Sequence, residues 1–278
     1  MSSSKSEREN RAGLDPVPII NRPNIQCSRF EGKNIIVTAG TVGIGRAIAE
    51  RLGQEKAKVF ICSRKKHNVE KAVAEMREKG YQVSGIPCHV GKDGDLENLV
   101  HEALEFFDGT IHGVVSNAAV NPLAGPTLDL PENLYDKIMD VNVKSYWKLV
   151  KLCKPFFCSV NGGSIVFISS VGGYQPSPPV GIYGMSKSAL IALAKVLSND
   201  LGQDNIRVNG IAPGLIRTRM SEAFWKGPMA DNPLNRTYLG RHGDPEDIAG
   251  VAAFLLSDDS AFITGETIVV SGGGNSRL

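Results

Sequence analysis

Tyr183 and Lys187, in the run Tyr183-Gly184-Met185-Ser186-Lys187, place a phenol and an amine four residues apart. On a helix that spacing puts both on one face, a single turn from each other. A free phenol titrates at about 10 and is a poor proton shuttle at neutral pH, but a neighbouring ammonium favours the phenolate and lowers that value. Proton transfer to or from a substrate oxygen then becomes feasible. The pattern recurs by chance in many chains, so it has chemical meaning only where other elements bring a substrate and a redox partner to it.

A second run is suited to holding such a partner. Thr38-Ala39-Gly40-Thr41-Val42-Gly43-Ile44-Gly45 is a glycine-rich turn running into Arg46-Ala47-Ile48-Ala49, which opens a helix. Glycine permits the tight turn and lets backbone amides approach a pyrophosphate at the positive helix end. The spacing is not the G-x-G-x-x-G of the general dinucleotide fingerprint. NAD-binding folds carry an acidic residue about 20 positions beyond the glycines, where it holds the ribose 2′-hydroxyl. This chain has Ser63 there, followed by Arg64, Lys65 and Lys66. A carboxylate would repel a 2′-phosphate, whereas a hydroxyl and a guanidinium fork suit one. With Asn68 as the expected cap of the next helix, these cations oppose its dipole unless an anion sits nearby. The cofactor expected is NADP(H), and no metal site is expected.

Positioning these groups requires a regular scaffold, and the chain alternates β-branched runs with amphipathic stretches from residue 34 onward. The runs are Asn34–Thr38, Val59–Cys62, Val83–Ile86, Gly113–Val115, Ser164–Ile168, Ile206–Ile211 and Thr267–Val270. Between the third and fourth, Leu96, Leu99, Val100, Ala103, Leu104 and Phe107 fall at three- and four-residue steps on one helix face. Continuously apolar strands are buried on both sides. The expectation is therefore an α/β fold: a doubly wound parallel sheet of about seven strands with helices on both faces, of the Rossmann dinucleotide-binding type. Ala189 to Leu201 is apolar nearly all round, so it must be covered everywhere, by its own domain or by another subunit, and an oligomer is expected.

The glycine turn, Ser170 thirteen positions before Tyr183, and the Tyr183/Lys187 pair together resemble the short-chain dehydrogenase/reductase family, whose turn reads T-G-x-x-x-G-x-G. Gly43 and Gly45 match its last two glycines, and Ala39 stands where the first usually is. An alanine is tolerated there if its φ is negative. The resemblance runs from about residue 30 to 275. It implies a catalytic set of Asn142, Ser170, Tyr183 and Lys187, with Ser170 polarising the carbonyl, Tyr183 donating the proton, Lys187 also binding ribose hydroxyls and Asn142 holding the lysine through water. On the cofactor it places Thr38, Gly40, Gly43, Ile44 and Gly45 of the turn, Ser63, Arg64 and Lys65 at the ribose, His89 and Val90 near the adenine, and Tyr183 and Lys187 as well. Asn117 and Ala118 follow the fourth strand, and Pro213, Gly214, Ile216 and Thr218 wrap the nicotinamide. Ser169, one position off, is given a supporting role.

Residues 1–29, rich in Ser, Arg, Glu, Asn and Pro, read as an arm, and 30–278 as a single catalytic domain. Leu215 to Leu239 carries Met220, Phe224, Trp225, Met229 and Leu234, as expected of a lid over a lipophilic substrate, with Val171–Pro176 as the opposite wall. A net charge of +2 gives no footprint for nucleic acid, and no apolar run is long enough for a membrane span. Five cysteines without C-x-x-C spacing read as buried thiols in a reducing compartment. The expected activity is NADPH-dependent reduction of lipophilic ketones, aldehydes or dicarbonyls, retinal and 3-ketosteroids among them, by a homotetramer. Oxidation of retinol or hydroxysteroids, and a non-catalytic dinucleotide-binding scaffold, are the rival readings. Ser276-Arg277-Leu278 is a variant of the S-K-L address read by the peroxisomal import receptor, so the peroxisome is the expected location and the cytoplasm the alternative.

Overall fold

The computed structural model describes residues 27–122, 125–160, 162–226 and 237–274. Seven parallel strands form one sheet: β1 (Asn34–Thr38), β2 (Lys58–Ser63), β3 (Val83–Pro87), β4 (Gly113–Ser116), β5 (Gly163–Ile168), β6 (Ile206–Pro213) and β7 (Thr267–Val270), in the order β3-β2-β1-β4-β5-β6-β7. Side chains alternate across the pleat, so the inner strands feed two cores. Ile36, Phe60, Val114, Ile165 and Phe167 point into one. Ile35, Val37, Val59, Ile61, Val115, Val166 and Ile168 point into the other.

Helices α1 (Gly43–Gln54) and α2 (Lys66–Glu78) follow β1 and β2, and α3 (Asp95–Phe106) follows β3. Next come α4 (Glu132–Met139), a π-helical turn at Asp140–Lys144, α5 (Ser145–Cys158), α6 (Gly181–Leu201), the short α7 (Glu222–Trp225) and α8 (Pro245–Leu256). The stripe expected between β3 and β4 is α3, whose Leu96, Leu99, Val100 and Ala103 are buried against α5 and strands β2 and β3. On the other face α1 and α8 bury Ile48, Leu52, Ile248 and Ala252. Helix α8 starts sharply because Asp244 and Asp247 form a reciprocal capping box with Pro245 at the first turn. The chain runs outward from β1 to β3 and returns to β4 beside β1, so a crevice opens where the strand order reverses, at the carboxyl ends of the strands.

Three local expectations change. Asn68 does not cap α2; Lys65 is the N-cap residue and Asn68 lies inside the first turn, its N–H bonded to the Lys65 carbonyl at 3.1 Å. Arg29, assigned to the arm, instead grips the domain: its guanidinium bonds both oxygens of buried Glu55, at 2.6 and 2.8 Å, and reaches Asp259 at 2.8 Å. Arg51 completes the charge balance around Glu55. Residues 1–26 of the expected arm lie outside the described residues, as do Met229, Leu234 and Ser276-Arg277-Leu278. Among the cysteines with described side chains, Cys62, Cys88 and Cys153 are buried free thiols and Cys27 is half-buried.

The third change concerns Ala39. Its φ is +51°, the left-handed region, and not the negative angle that would make alanine easy there. The cost is about 1 kcal/mol for a residue with a Cβ. Asn117 holds the strained turn from behind, its side-chain amide donating to the carbonyls of Thr38 at 3.1 Å and Ala39 at 3.4 Å.

Candidate active site

A cleft of about 740 Å³ occupies the crevice. Its floor is the start of α1. Val42 caps that helix without a side-chain hydrogen bond, and the first turn has no acidic residue, so the first N–H groups remain available to an anion. Gly43 has φ +58°, which suits glycine. A Cβ on Gly45 would collide with the Ala39 carbonyl and lie 2.5 Å from Asn117 Nδ2, so only glycine lets the turn close.

Of the residues expected on the cofactor, Gly43, Ile44, Ser63, Arg64, Lys65, His89, Val90, Asn117, Ala118, Tyr183, Lys187, Pro213, Gly214, Ile216 and Thr218 line this cleft. Thr38, Gly40 and Gly45 do not. The Thr38 hydroxyl instead accepts the N–H groups of Asn117 and Ala118, at 2.8 and 3.1 Å, and so ties β1 to β4 under the turn. Gly40 packs against Ile61 of β2, where a Cβ would sit 2.8 Å from a methyl. Exposed Arg64 and Lys65 flank the N-terminus of α2, whose first turn also lacks an acidic residue. Positive side chains and a positive helix end therefore converge at one end of the cleft, an arrangement that favours an anion. His89 lines the cleft while its Nδ1 accepts from Gly91 N at 3.2 Å.

At the other end Ser170, Tyr183 and Lys187 face the same space. Ser170 caps a short 3₁₀ turn after β5, accepting from Gly172 N at 3.1 Å, and its hydroxyl is hydrogen-bonded to the Tyr183 phenol. Lys187, only 1% exposed, sends its Nζ to the Ile168 carbonyl at 2.9 Å and lies 5.5 Å from the Tyr183 ring centre. Burial drives both groups towards neutrality. The phenol is pushed up to about 12, with the Ser170 hydrogen bond pulling the other way. Loss of solvation lowers the amine to about 7. The phenolate-favouring shift expected from the ammonium does not occur in this state, because desolvation outweighs it and Nζ is turned to the carbonyl. A phenol held protonated is loaded to give a proton.

Asn142 is fully buried and does not reach the cleft surface. It sits in the π-helical turn, and its amide exchanges hydrogen bonds with Val120, at 2.8 and 3.0 Å, and donates to Ser186 Oγ at 3.0 Å. Ser186 in turn bonds the Tyr183 carbonyl at 2.6 Å. The side chain expected to hold Lys187 is thus committed to the backbone around it. Ser169 donates to the Lys187 carbonyl at 2.8 Å.

Thr218 leans over the glycine turn, its methyl 3.3 Å from where a Gly43 Cβ would lie. Leu215, Arg219, Met220 and Phe224 continue that wall, while Val171, Gly172 and Val180 line the opposite side. Tyr174 is not part of it, since its hydroxyl turns away to the Thr267 carbonyl. Sequence reasoning missed Val120, Val180 and Arg219, which no local motif marks. It also missed Tyr146, a buried phenol four residues after Asn142 whose hydroxyl shares the Ile168 carbonyl with Lys187.

A switch-point crevice with an uncapped helix end at one extreme and a phenol, hydroxyl and amine at the other defines a nicotinamide-dependent oxidoreductase. Residues 38–275 match the family described as Enoyl-(Acyl carrier protein) reductase. "Dehydrogenase/reductase SDR family member 4" of Bos taurus is 46% identical over 250 residues, covering 90% of this chain and 89% of the relative. The protein of the same name from Caenorhabditis elegans is 44% identical over 257 residues, covering 91% and 98%. A short-chain type dehydrogenase/reductase from Mycobacterium ulcerans superposes with a TM-score of 0.84 at 31% identity, over 88% of this chain and 90% of that one. The chain belongs to the short-chain dehydrogenase/reductase family and is an NAD(P)-dependent oxidoreductase.

Proposed function

We propose that the chain uses NADPH to reduce lipophilic ketones, aldehydes or dicarbonyls to alcohols. The observation that carries this reading is the pairing of a protonated phenol at one end of the cleft with carboxylate-free, cationic residues at the other. The dinucleotide, when bound, supplies the hydride that adds to the carbonyl carbon. Tyr183 gives its proton to the carbonyl oxygen, and the Ser170 hydroxyl hydrogen-bonds that oxygen as charge develops on it. Lys187 binds ribose hydroxyls and holds positive charge beside the phenol. Asn142, through Val120 and Ser186, keeps the turn bearing Tyr183 and Lys187 in place. Met220 and Phe224 supply apolar surface for substrates of retinal or 3-ketosteroid bulk. The relatives' shared name supports a dehydrogenase/reductase assignment.

Arg64 and Ser63 would take the 2′-phosphate. Following NADPH and NADH consumption over a panel of diketones, retinal and 3-ketosteroids tests both parts. Wild type should turn over at least one class with NADPH preferred, and Arg64→Glu should weaken NADPH use by about 100-fold while sparing NADH. No oxidation of either nucleotide despite binding would point to the scaffold reading, and equal losses for both nucleotides would remove the 2′-phosphate assignment.

The 30–278 segment is proposed as one catalytic domain whose lid spans 215–239. A homotetramer in the peroxisome completes the reading: Trp147 on α5 and Met185 and Val196 on α6 expose apolar surface, and Ser276-Arg277-Leu278 provides the address. A single-chain mass in sedimentation would contradict the first, and a diffuse fluorescent reporter carrying those last residues the second.

A further inference from the structure

The amine of Lys187 is enclosed by more than its helical partner. Tyr146, on α5, is 1% exposed and is wedged against Phe167 of β5, ring centres 5.4 Å apart at 67°. The Lys187 Nζ lies 5.7 Å from the Tyr146 ring centre and 5.5 Å from that of Tyr183, so the amine sits between two phenol rings. The Tyr146 hydroxyl donates to the Ile168 carbonyl at 3.3 Å, the same oxygen that accepts from Nζ at 2.9 Å. The groups recorded against the amine are the Tyr183 ring from α6, the Tyr146 ring from α5 and the Ile168 carbonyl at the end of β5. Among the described residues no carboxylate pairs with Lys187.

We propose that Tyr146 is a positioning residue that keeps the Lys187 ammonium charged and fixed beside Tyr183, its ring acting as a clamp plate on the side away from the cleft. The physical case is one of missing compensation. A buried ammonium without a carboxylate partner loses its proton readily. Ring faces attract a cation by about 0.5–2 kcal/mol when it is desolvated, without the negative charge that would compete for the substrate's proton. The hydroxyl fixes the ring by anchoring it to the same carbonyl, so ring, amine and strand end move together. The purpose of this device rests on the reading of Lys187 given under the proposed function, but its electrostatics do not.

The test uses two variants and a signal read without cofactor. The ε-CH₂ resonance of Lys187, assigned by its loss in Lys187→Met, is titrated by heteronuclear NMR in the full chain. Tyr146→Leu removes ring and hydroxyl, and should lower the Lys187 midpoint by about 0.5–1 pH unit. Tyr146→Phe keeps the ring and should stay within about 0.3 pH unit of wild type. In turnover, Tyr146→Leu should lower kcat about two- to sixfold near neutral pH with the carbonyl KM little changed, and Tyr146→Phe should restore most of it. An unshifted midpoint in a folded Tyr146→Leu protein, or equal shifts in both variants, would overturn the proposal. A wild type that reduces no carbonyl would overturn the proposed function instead, leaving the NMR comparison intact.

Discussion

Tyr183→Phe is expected to lower carbonyl turnover by about 10²–10⁴-fold, the range for loss of a positioned general acid. The substitution removes one oxygen and keeps the ring, so the 5.5 Å contact with the Lys187 amine and the packing of α6 persist. Dinucleotide affinity, measured by calorimetry, should change by no more than about twofold, because the substitution keeps the Tyr183 ring and the Lys187 amine that are also assigned to the cofactor and removes only the proton-donating oxygen. The pH dependence sharpens the test. Burial holds the phenol near 12, so it stays protonated throughout the neutral range and reduction by the wild type should show no loss from its ionisation there. A Phe variant with near-normal turnover would show that the proton comes from elsewhere.

The second large effect is on stability and has the opposite sign for function. Lys187 titrates at about 7 in the folded protein against 10.5 for the free side chain. Below about pH 7 the amine is charged in both states and the folded state bears the full cost of burying it. Between about 7 and 10.5 the unfolded chain holds a proton that the native one has released, so stability rises with pH across that window. Lys187→Met lacks this slope. It should be more stable than wild type at pH 6 by a few kcal/mol, with the gap closing as pH approaches 10, while losing most activity. Urea unfolding at several pH values reads the difference, and parallel curves for the two proteins would refute it. A site that destabilises its own domain is the usual signature of a group retained for chemistry.

How much of this was legible in the sequence depended on the range over which each feature is determined. The strands were readable because runs such as Val59-Phe60-Ile61-Cys62 must be covered on both faces; the inner ones are buried on both sides, while the edge strands β3 and β7 are mostly half-buried. Tyr183 and Lys187 were readable because a single helical turn fixes their relation. The left-handed φ of Ala39 was not, since the amide that restrains it comes from Asn117, 78 residues away. Asn142 was legible as a motif member but not as a physical object. Its π-helical turn and its pairing with Val120 and Ser186 are tertiary facts. Tyr146 carries no motif; only the folding of α5 against β5 brings it to the amine.

The grip of Arg29 on Glu55 has a meaning for how such a protein can change over generations. Glu55 follows the end of α1 and precedes β2, which places it on the amino-terminal rim of the sheet, across the whole thickness of the strands from the cleft. Ion pairs and caps on that rim can be traded for robustness without touching the residues that choose a substrate. The opposite rim, with Met220 and Phe224, can drift towards new compounds while the far side carries the load. The two kinds of innovation are therefore spatially insulated from each other within one small domain.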